Sequence, residues 1–433
     1  MAIEFATPIT PALFDKLLKE FYLGPIRDVL NSKTILLKRF QRDEINVSGR
    51  NTRIPIRVGR NEGQGFISAG SRLPMPGRQR FEPIVIPMKY SYMRIFFDGT
   101  AVAASKNDAG AFARVADTEI TGATIDLANE WNRVLFGNGT GRLAQISAHT
   151  GGTLVYTVTN PGGFSNVGPG VQYLRPNMIV GCFNETTDQF LGSATINSVD
   201  VPTGTVTLSS EILGVNPAVG TFYFYRVSDD TAGVPGSLPD GSWARFNEPV
   251  GLAGAVSNTG IPGPGGTTAN YLTIDATATP VWQSPVIDNG GISIPLDLDV
   301  LQQAEDAADQ AGDGMISLFI TSYGLRRSLL NLLQANKRFF NTLELEGGFK
   351  ALEYNGKAFV PDKDATWGRL YPLDEATWAM YQEAPTHWID DDGHILFRDS
   401  NRDAFQAALR SFWEVATTAR NRNVLVTDLL DPT

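Results

Sequence analysis

Two runs of strand-forming residues flank a stretch that has no such pattern. "TRIPIRV" (Thr52–Val58) and "EPIVIPMKYSYMRIFF" (Glu82–Phe97) are rich in alternating branched and aromatic residues. In the second run Ile84, Ile86 and Met88 alternate with Val85 and Lys89, and Tyr90, Tyr92, Ile95 and Phe97 follow. Between them lies "RNEGQGFISAGSRLPMPGRQRF" (Arg60–Phe81), with four glycines, two prolines, four arginines and one glutamate. The pattern predicts a hairpin over 51–97 with an unusually long tip, since ordinary hairpin loops hold about two to five residues. At about 3.3 Å per residue the second strand would span roughly 50 Å. A two-stranded ribbon of that length is marginal in water by itself, so the arm is expected to lie on another subunit.

The same reading divides the rest of the chain. Residues 1–50 read as an N-terminal arm, with a short helix over Ala12–Tyr22 from the spacing of Leu13, Leu17, Leu18 and Phe21. Residues 105–137 carry one apolar stripe: Phe112, Val115, Ile120, Ala123, Leu127, Trp131 and Val134–Leu135. They predict a helix of roughly 45 Å, with Ser105 and Asp108 at its start and Gly137 at the C′ position. From about 150 to 228, valine, threonine, tyrosine and glycine dominate in short runs broken by turn residues, which predicts an inserted β-barrel. Residues 229–292 form a loop-rich Gly/Pro/Thr/Ser connection.

From 293 the pattern turns mixed α/β. Asp297–Ala311 reads as a helix, Met315–Ser322 as a buried strand and "YGLRRSLLNLLQANKRFF" as a second helix. Lys350–Val360 reads as a hairpin turning at Asn355-Gly356. "ATWGRLYPLDEATWAMYQ" gives a strand end and a short helix. "THWIDDDGHILF" reads as a further hairpin around Asp391–Gly393, and "FQAALRSFWEVATT" and "NVLVTDL" as closing strands.

Composition narrows the function. The 433 residues are 42% apolar and 19% charged, enough to build real cores. The formal net charge of −10 argues against DNA binding as the main task, because such binders present a basic face to displace counterions. One cysteine, Cys182, excludes an intrachain disulfide. No apolar run is long enough for a transmembrane helix, and the first residues lack a signal-peptide pattern.

Candidate chemistry is thin. "GNGTGR" (Gly137–Arg142) lacks the Gly-Lys-Ser/Thr ending of a phosphate loop and reads as a helix cap and turn. "DDDG" (Asp390–Gly393) lacks the downstream spacing of a calcium loop. His387 and His394 flank one predicted hairpin without further zinc ligands, and no nucleophile elbow is present. Asn138 and Asn184 sit in glycosylation-like triplets that mean nothing without a secretory signal. Trp378, Trp388 and Trp413 read as core anchors. No catalytic residue, cofactor or metal is expected. The tip residues Arg60, Glu62, Arg72, Arg78 and Arg80 remain. They read either as a solubilising loop or as inter-subunit contacts. The second is preferred, because arginine forms planar bidentate pairs at interfaces and copies of an acidic chain offer carboxylates.

The order of these parts resembles the major capsid protein of tailed bacteriophages, the Hong Kong 97-type fold. The phrases that carry the resemblance are "LPMPGRQRFEPIVIPMKYSYMRIFFDGTAVAAS", "NEWNRVLFGNGTGRLAQI", "ISIPLDLDVLQQAEDAA" and "GGFKALEYNGKAFVPDKD". The resemblance implies an α+β fold. It has an N-terminal arm (1–50), an extended E-loop (51–97), a P-domain with a spine helix (98–149), an inserted β-barrel (150–228) and a loop-rich connection (229–292). An A-domain (293–385) and C-terminal strands returning to the P-domain (386–433) complete it. It further implies a non-enzymatic coat protein forming hexamers and pentamers in an icosahedral head shell. That shell would enclose double-stranded DNA without specific binding, with a portal protein and decoration proteins as further candidate partners and no membrane. The site would be the virion, after assembly in the host bacterial cytoplasm. The family's namesake links subunits through an E-loop lysine and a neighbour's asparagine, but Gly59–Phe81 holds no lysine. Covalent linkage is therefore not expected. Nor is there a charged, coiled N-terminal extension, so a separate scaffolding protein is implied. An encapsulin-like compartment shell and a β-rich enzyme are the alternatives. A tail or fibre protein would show repeats, which are missing.

Overall fold

The computed structural model describes residues 33–43, 51–99, 109–165, 168–212, 222–227, 245–263, 267–335, 342–345, 349–390, 397–398 and 403–432. The expected helix at Ala12–Tyr22, the start of the long helix at Ser105 and Asp108, and the turn at Asp391–Gly393 with His394 lie outside those residues.

The long strand Ala404–Thr417 organises one sheet. It pairs antiparallel with Lys89–Asp98 and, along its length, with Trp378–Gln382, His387–Trp388 and Phe397–Arg398. Gln41–Asp43 adds in parallel to Trp378–Gln382. The helix Ala109–Val134 lies on this sheet. Trp131 rests against Trp413, with ring centroids 4.9 Å apart, and donates its indole N–H to Ser91 Oγ at 3.0 Å. Ala123, Leu127, Trp131 and Val134 from its apolar stripe are buried. Gly137 is not the left-handed cap; positive φ comes two residues later, at Gly139.

Two expectations change here. The run Glu82–Phe97 is two strands, not one. Arg80–Pro87 pairs with Asn51–Gly59 in a separate ribbon, and after Met88 the chain pairs with Ala404–Thr417 instead. Pro87 ends the first strand, because it has no N–H to give a ladder. The segment Ile35–Arg39, read as part of a free arm, forms a helical turn with Ile35, Leu36 and Leu37 buried, and Phe40 stacks on Trp378 at 5.3 Å.

A second, seven-stranded sheet runs in the order Val286–Ile287, Leu425–Val426, Leu370–Leu373, Leu318–Thr321, Lys357–Pro361, Phe349–Tyr354, Thr342–Leu345. The helices Leu298–Gly312 and Tyr323–Ala335 bury Leu301, Ala304, Ala308, Leu325 and Leu329 with Phe319, Phe359 and Val426 from this sheet. Asn355 and Gly356 both have positive φ, as a type I′ turn requires. "DEATWAMYQ" is not a helix: a single 3₁₀ turn at Glu375–Thr377 leads into the strand Trp378–Gln382. Leu425–Val426 joins this second sheet while Ala404–Thr417 stays in the first, so the chain end ties the two together.

The barrel closes from six strands: Phe222–Arg226, Arg142–His149, Val155–Thr159, Thr205–Leu208, Gln189–Asp200 and Ile179–Asn184. It starts at Arg142, eight residues before the composition change, because that first strand continues directly from the turn after the long helix. Within the connecting stretch Leu252, Tyr271 and Trp282 are buried. The buried Arg420 guanidinium donates to the carbonyls of Ala255 at 2.6 Å and Thr259 at 2.8 Å.

Candidate inter-subunit interface

The ribbon is built by register. Ile54 faces Ile84, Thr52 faces Ile86, and Pro55 faces Pro83. Ile84 and Ile86 are fully buried in the main core, with Ile54 and Ile56 packed against it. The Val85 N–H donates to Leu272 O at 3.3 Å, fastening the base to the connecting segment. The ladder slips at a bulge between Arg57 and Gly59. Beyond it, residues 61–79 hold no strand.

Two glycines pinch the neck of this tip. A Cβ on Gly63 would lie 2.4 Å from Gly77 N, and one on Gly77 would lie 2.2 Å from Asn61 Oδ1. Asn61 Oδ1 accepts the Gly63 N–H at 2.8 Å and holds the crossing. Any side chain at either position forces the two passes apart.

All five tip residues expected as contacts, Arg60, Glu62, Arg72, Arg78 and Arg80, are exposed. The structure does not gather them. Arg80 pairs with Glu82 on its own strand, Nη2 to Oε1 at 3.0 Å. Arg60, Arg72 and Arg78 have no ion pair among the described residues. The expectation also passed over the apolar part of the tip. Phe66 is completely exposed, and Leu73 and Met75 are 83% and 87% exposed. The signal in the sequence was "GFIS" and "RLPMP", apolar residues inside a Gly/Arg loop where no core can reach them.

Elsewhere the ionisable groups serve the fold. Glu414 is buried and accepts the Val250 and Val415 N–H groups at 2.8 and 3.1 Å. Burial pushes its carboxyl up to about 8, against the pull of the Lys89 ammonium and those two donors. Asp362 accepts Leu36 N–H, Asn132 Nδ2 and Asp364 N–H, joining the N-terminal segment, the long helix and the second sheet. Burial raises it to about 6. Arg133 pairs with both Glu130 and Glu248 under the barrel. Asn138, in "GNGTGR", accepts from Thr140 and forms a turn. His387 contacts Pro385 O and Arg410 Nη2. Among the described residues no group of three His, Cys, Asp or Glu is placed to hold a metal, and no helix is long and apolar enough to cross a membrane.

No family model matches the chain, and no curated protein matches it. Solved structures do. The cyanophage A-1(L) capsid asymmetric unit is similar over 97% of this chain and 99% of its own, at 12% identity and a TM-score of 0.56. A capsid of an empty GTA particle aligns over 99% and 100% at 11% identity, with a TM-score of 0.46. The SrpI encapsulin complex of Synechococcus elongatus aligns over 99% and 96% at 6% identity, with a TM-score of 0.42. The chain shares the mixed α+β fold of the cyanophage capsid subunit along nearly its whole length.

Proposed function

We propose that the chain is the major capsid protein of a tailed bacteriophage, self-assembling into an icosahedral head around double-stranded DNA. The observation that carries the reading is the ribbon. Its base is locked into the core, while its tip presents Phe66, Leu73, Met75 and arginines that touch nothing in their own subunit's core. Such a patch marks an interaction site. The fold shared with the cyanophage capsid supports a second copy as its partner. In this reading 51–87 is the E-loop, the barrel is the inserted domain and the helix Ala109–Val134 is the spine. The seven-stranded sheet is the core of the A-domain around the capsomer centre.

Hexamers and pentamers follow from one heterologous contact closing into rings. The tip arginines pair with carboxylates of the neighbour, and the acidic balance lets the shell contain DNA without gripping it. A separate scaffolding protein and a portal complete assembly in the host cytoplasm, and the protein's final place is the virion. Its role is structural, not enzymatic. Without a tip lysine, the mature shell should show no ladder of covalent multimers on denaturing gels.

The test is electron microscopy and sedimentation of the purified protein, alone and co-expressed with the scaffolding protein from the same genome. Closed icosahedral shells support the proposal. A chain that remains monomeric in both conditions at high concentration overturns it. Closed shells that enclose an enzyme in place of DNA in the native host would assign the encapsulin-like role instead.

A further inference from the structure

The tip of the ribbon keeps its shape without a strand ladder, since residues 61–79 hold no strand. Its return pass reads Leu73-Pro74-Met75-Pro76-Gly77. Pro74 and Pro76 have no N–H to give a ladder, and their rings fix φ, so this pass is stiff. The outgoing pass lies against it by close packing instead. A Cβ on Gly63 would sit 2.4 Å from Gly77 N and 2.9 Å from Met75 O, and one on Gly77 would sit 2.7 Å from Gly63 N. These are backbone atoms, which cannot swing aside as a side chain would. Neither glycine has a positive φ, so close approach is the reason for glycine at both positions. Asn61 closes the neck: its Oδ1 accepts the Gly63 N–H at 2.8 Å. At the far end the Ser71 N–H donates to Ser68 O at 3.1 Å and Gly70 takes a φ of 80°, which makes a turn. Between the neck and that turn stand the exposed Phe66, Leu73 and Met75.

We infer that Asn61, Gly63 and Gly77 form a neck lock that shapes the tip in the free subunit, so that it meets a second copy already ordered. The inference rests on the reading of the tip as a contact between subunits. A loop that orders only on docking loses its backbone and side-chain freedom at that moment, which weakens the contact; a loop shaped beforehand does not. Asn61 and Gly77 are exposed and Gly63 is half-buried, so none of the three belongs to a core. They are positioning residues for Phe66, Leu73, Met75 and the tip arginines. Their effect is on the order of the tip and on assembly, not on the stability of the subunit.

The experiment compares the full-length protein with Asn61→Ala, Gly63→Ala and Gly77→Ala in three measurements. The first is the melting temperature of the free subunit, which should not change. The second is the rate of tryptic cutting after the exposed Arg72, followed by mass spectrometry. Such cutting tracks the population of the open loop, and each variant should be cut roughly tenfold faster or more. The third is the yield of closed shells on co-expression with the scaffolding protein, which should fall in all three variants. Asn61→Asp keeps an oxygen for the Gly63 N–H and should restore the wild-type cutting rate.

A wild-type tip cut as fast as that of Asn61→Ala overturns the lock, as does Asn61→Asp behaving like Asn61→Ala. Variants that are cut faster yet form shells in wild-type yield overturn its part in docking. A melting temperature that falls with each substitution shows that the neck supports the whole subunit, and overturns the inference too. Wild-type subunits that form no shells fail the proposed function itself, whereas unequal cutting rates would still establish the lock.

Discussion

The ribbon and the barrel are both made of β-strands, and they solve the problem of strand edges in opposite ways. The barrel closes on itself. Leu143, Ile146, Tyr156, Val158, Ile196, Val206 and Phe224 fill its interior, and closure leaves no unpaired edge. The ribbon has two strands and therefore two edges. It carries Pro55 opposite Pro83 and ends at Pro87, and these residues cannot donate to an added strand. Side-chain contacts, not strand addition, are left for its tip to use. The barrel is complete within one subunit, whereas the ribbon is complete only at its base. Order in the first depends on the barrel's own core; in the proposed shell, the second would act through surface that the subunit leaves bare.

The strongest way to break this contrast is to damage each core. Phe224→Ala empties the barrel centre and should cost about 3–5 kcal/mol, read as a loss of stability for the subunit in denaturant titration. Ile86→Ala at the ribbon base should cost about 2–5 kcal/mol, because that side chain is shared with the main core. If Ile86→Ala leaves the unfolding midpoint unchanged, the base is not anchored and the ribbon is loose throughout.

The next effect depends on pH. Glu414 is neutral in the folded protein until pH reaches about 8, but titrates near 4.3 when unfolded. The folded state thus keeps a proton that the unfolded state releases, and stability falls as pH rises from about 4 to about 8. Glu414→Gln is neutral at every pH and can keep the acceptor oxygen for Val250 and Val415. The variant should match the parent near pH 4 and melt higher at pH 8. A melting difference that is constant across this range would show that Glu414 is ionised in the fold.

The smallest effects on the subunit should come from the tip, where assembly is what changes. Replacing Arg72, Arg78 and Arg80 by alanine should shift monomer stability by no more than about 0–1 kcal/mol, since these side chains are exposed. It should lower the yield of closed shells at low salt, with less difference at high salt, where screening already weakens the pairs. Phe66→Ser with Leu73→Ser and Met75→Ser should likewise spare the monomer, but reduce shell yield at both salt concentrations. Comparing the two triple variants separates charge from apolar burial at the contact. Normal shells from both would remove the tip from the interface. A sharp fall in monomer melting would place the tip against its own subunit.

Features set by neighbouring residues were legible in the chain. Asn355-Gly356 made its turn because both positions need positive φ, a requirement met within two residues. The long helix followed from a stripe whose members Ala123, Leu127 and Trp131 repeat at its own period. The Gly/Arg tip was legible as a loop because its four glycines and two prolines interrupt any strand pattern.

Long-range pairing was not. The alternation through Glu82–Phe97 runs past Met88 unbroken, yet the strand changes partner there, from Asn51–Gly59 to Ala404–Thr417. Period-two spacing states which face a residue takes, but not which strand lies beside it. "DEATWAMYQ" had helix-forming residues, but the edge of Ala404–Thr417 supplied hydrogen bonds to Trp378–Gln382 and tertiary pairing overrode local preference. The proline-marked ribbon, the bare tip and the acidic balance were written in the amino acids. Which carboxylates are buried and how the chain end joins two sheets were decided only by packing, because each brings together residues far apart in the sequence.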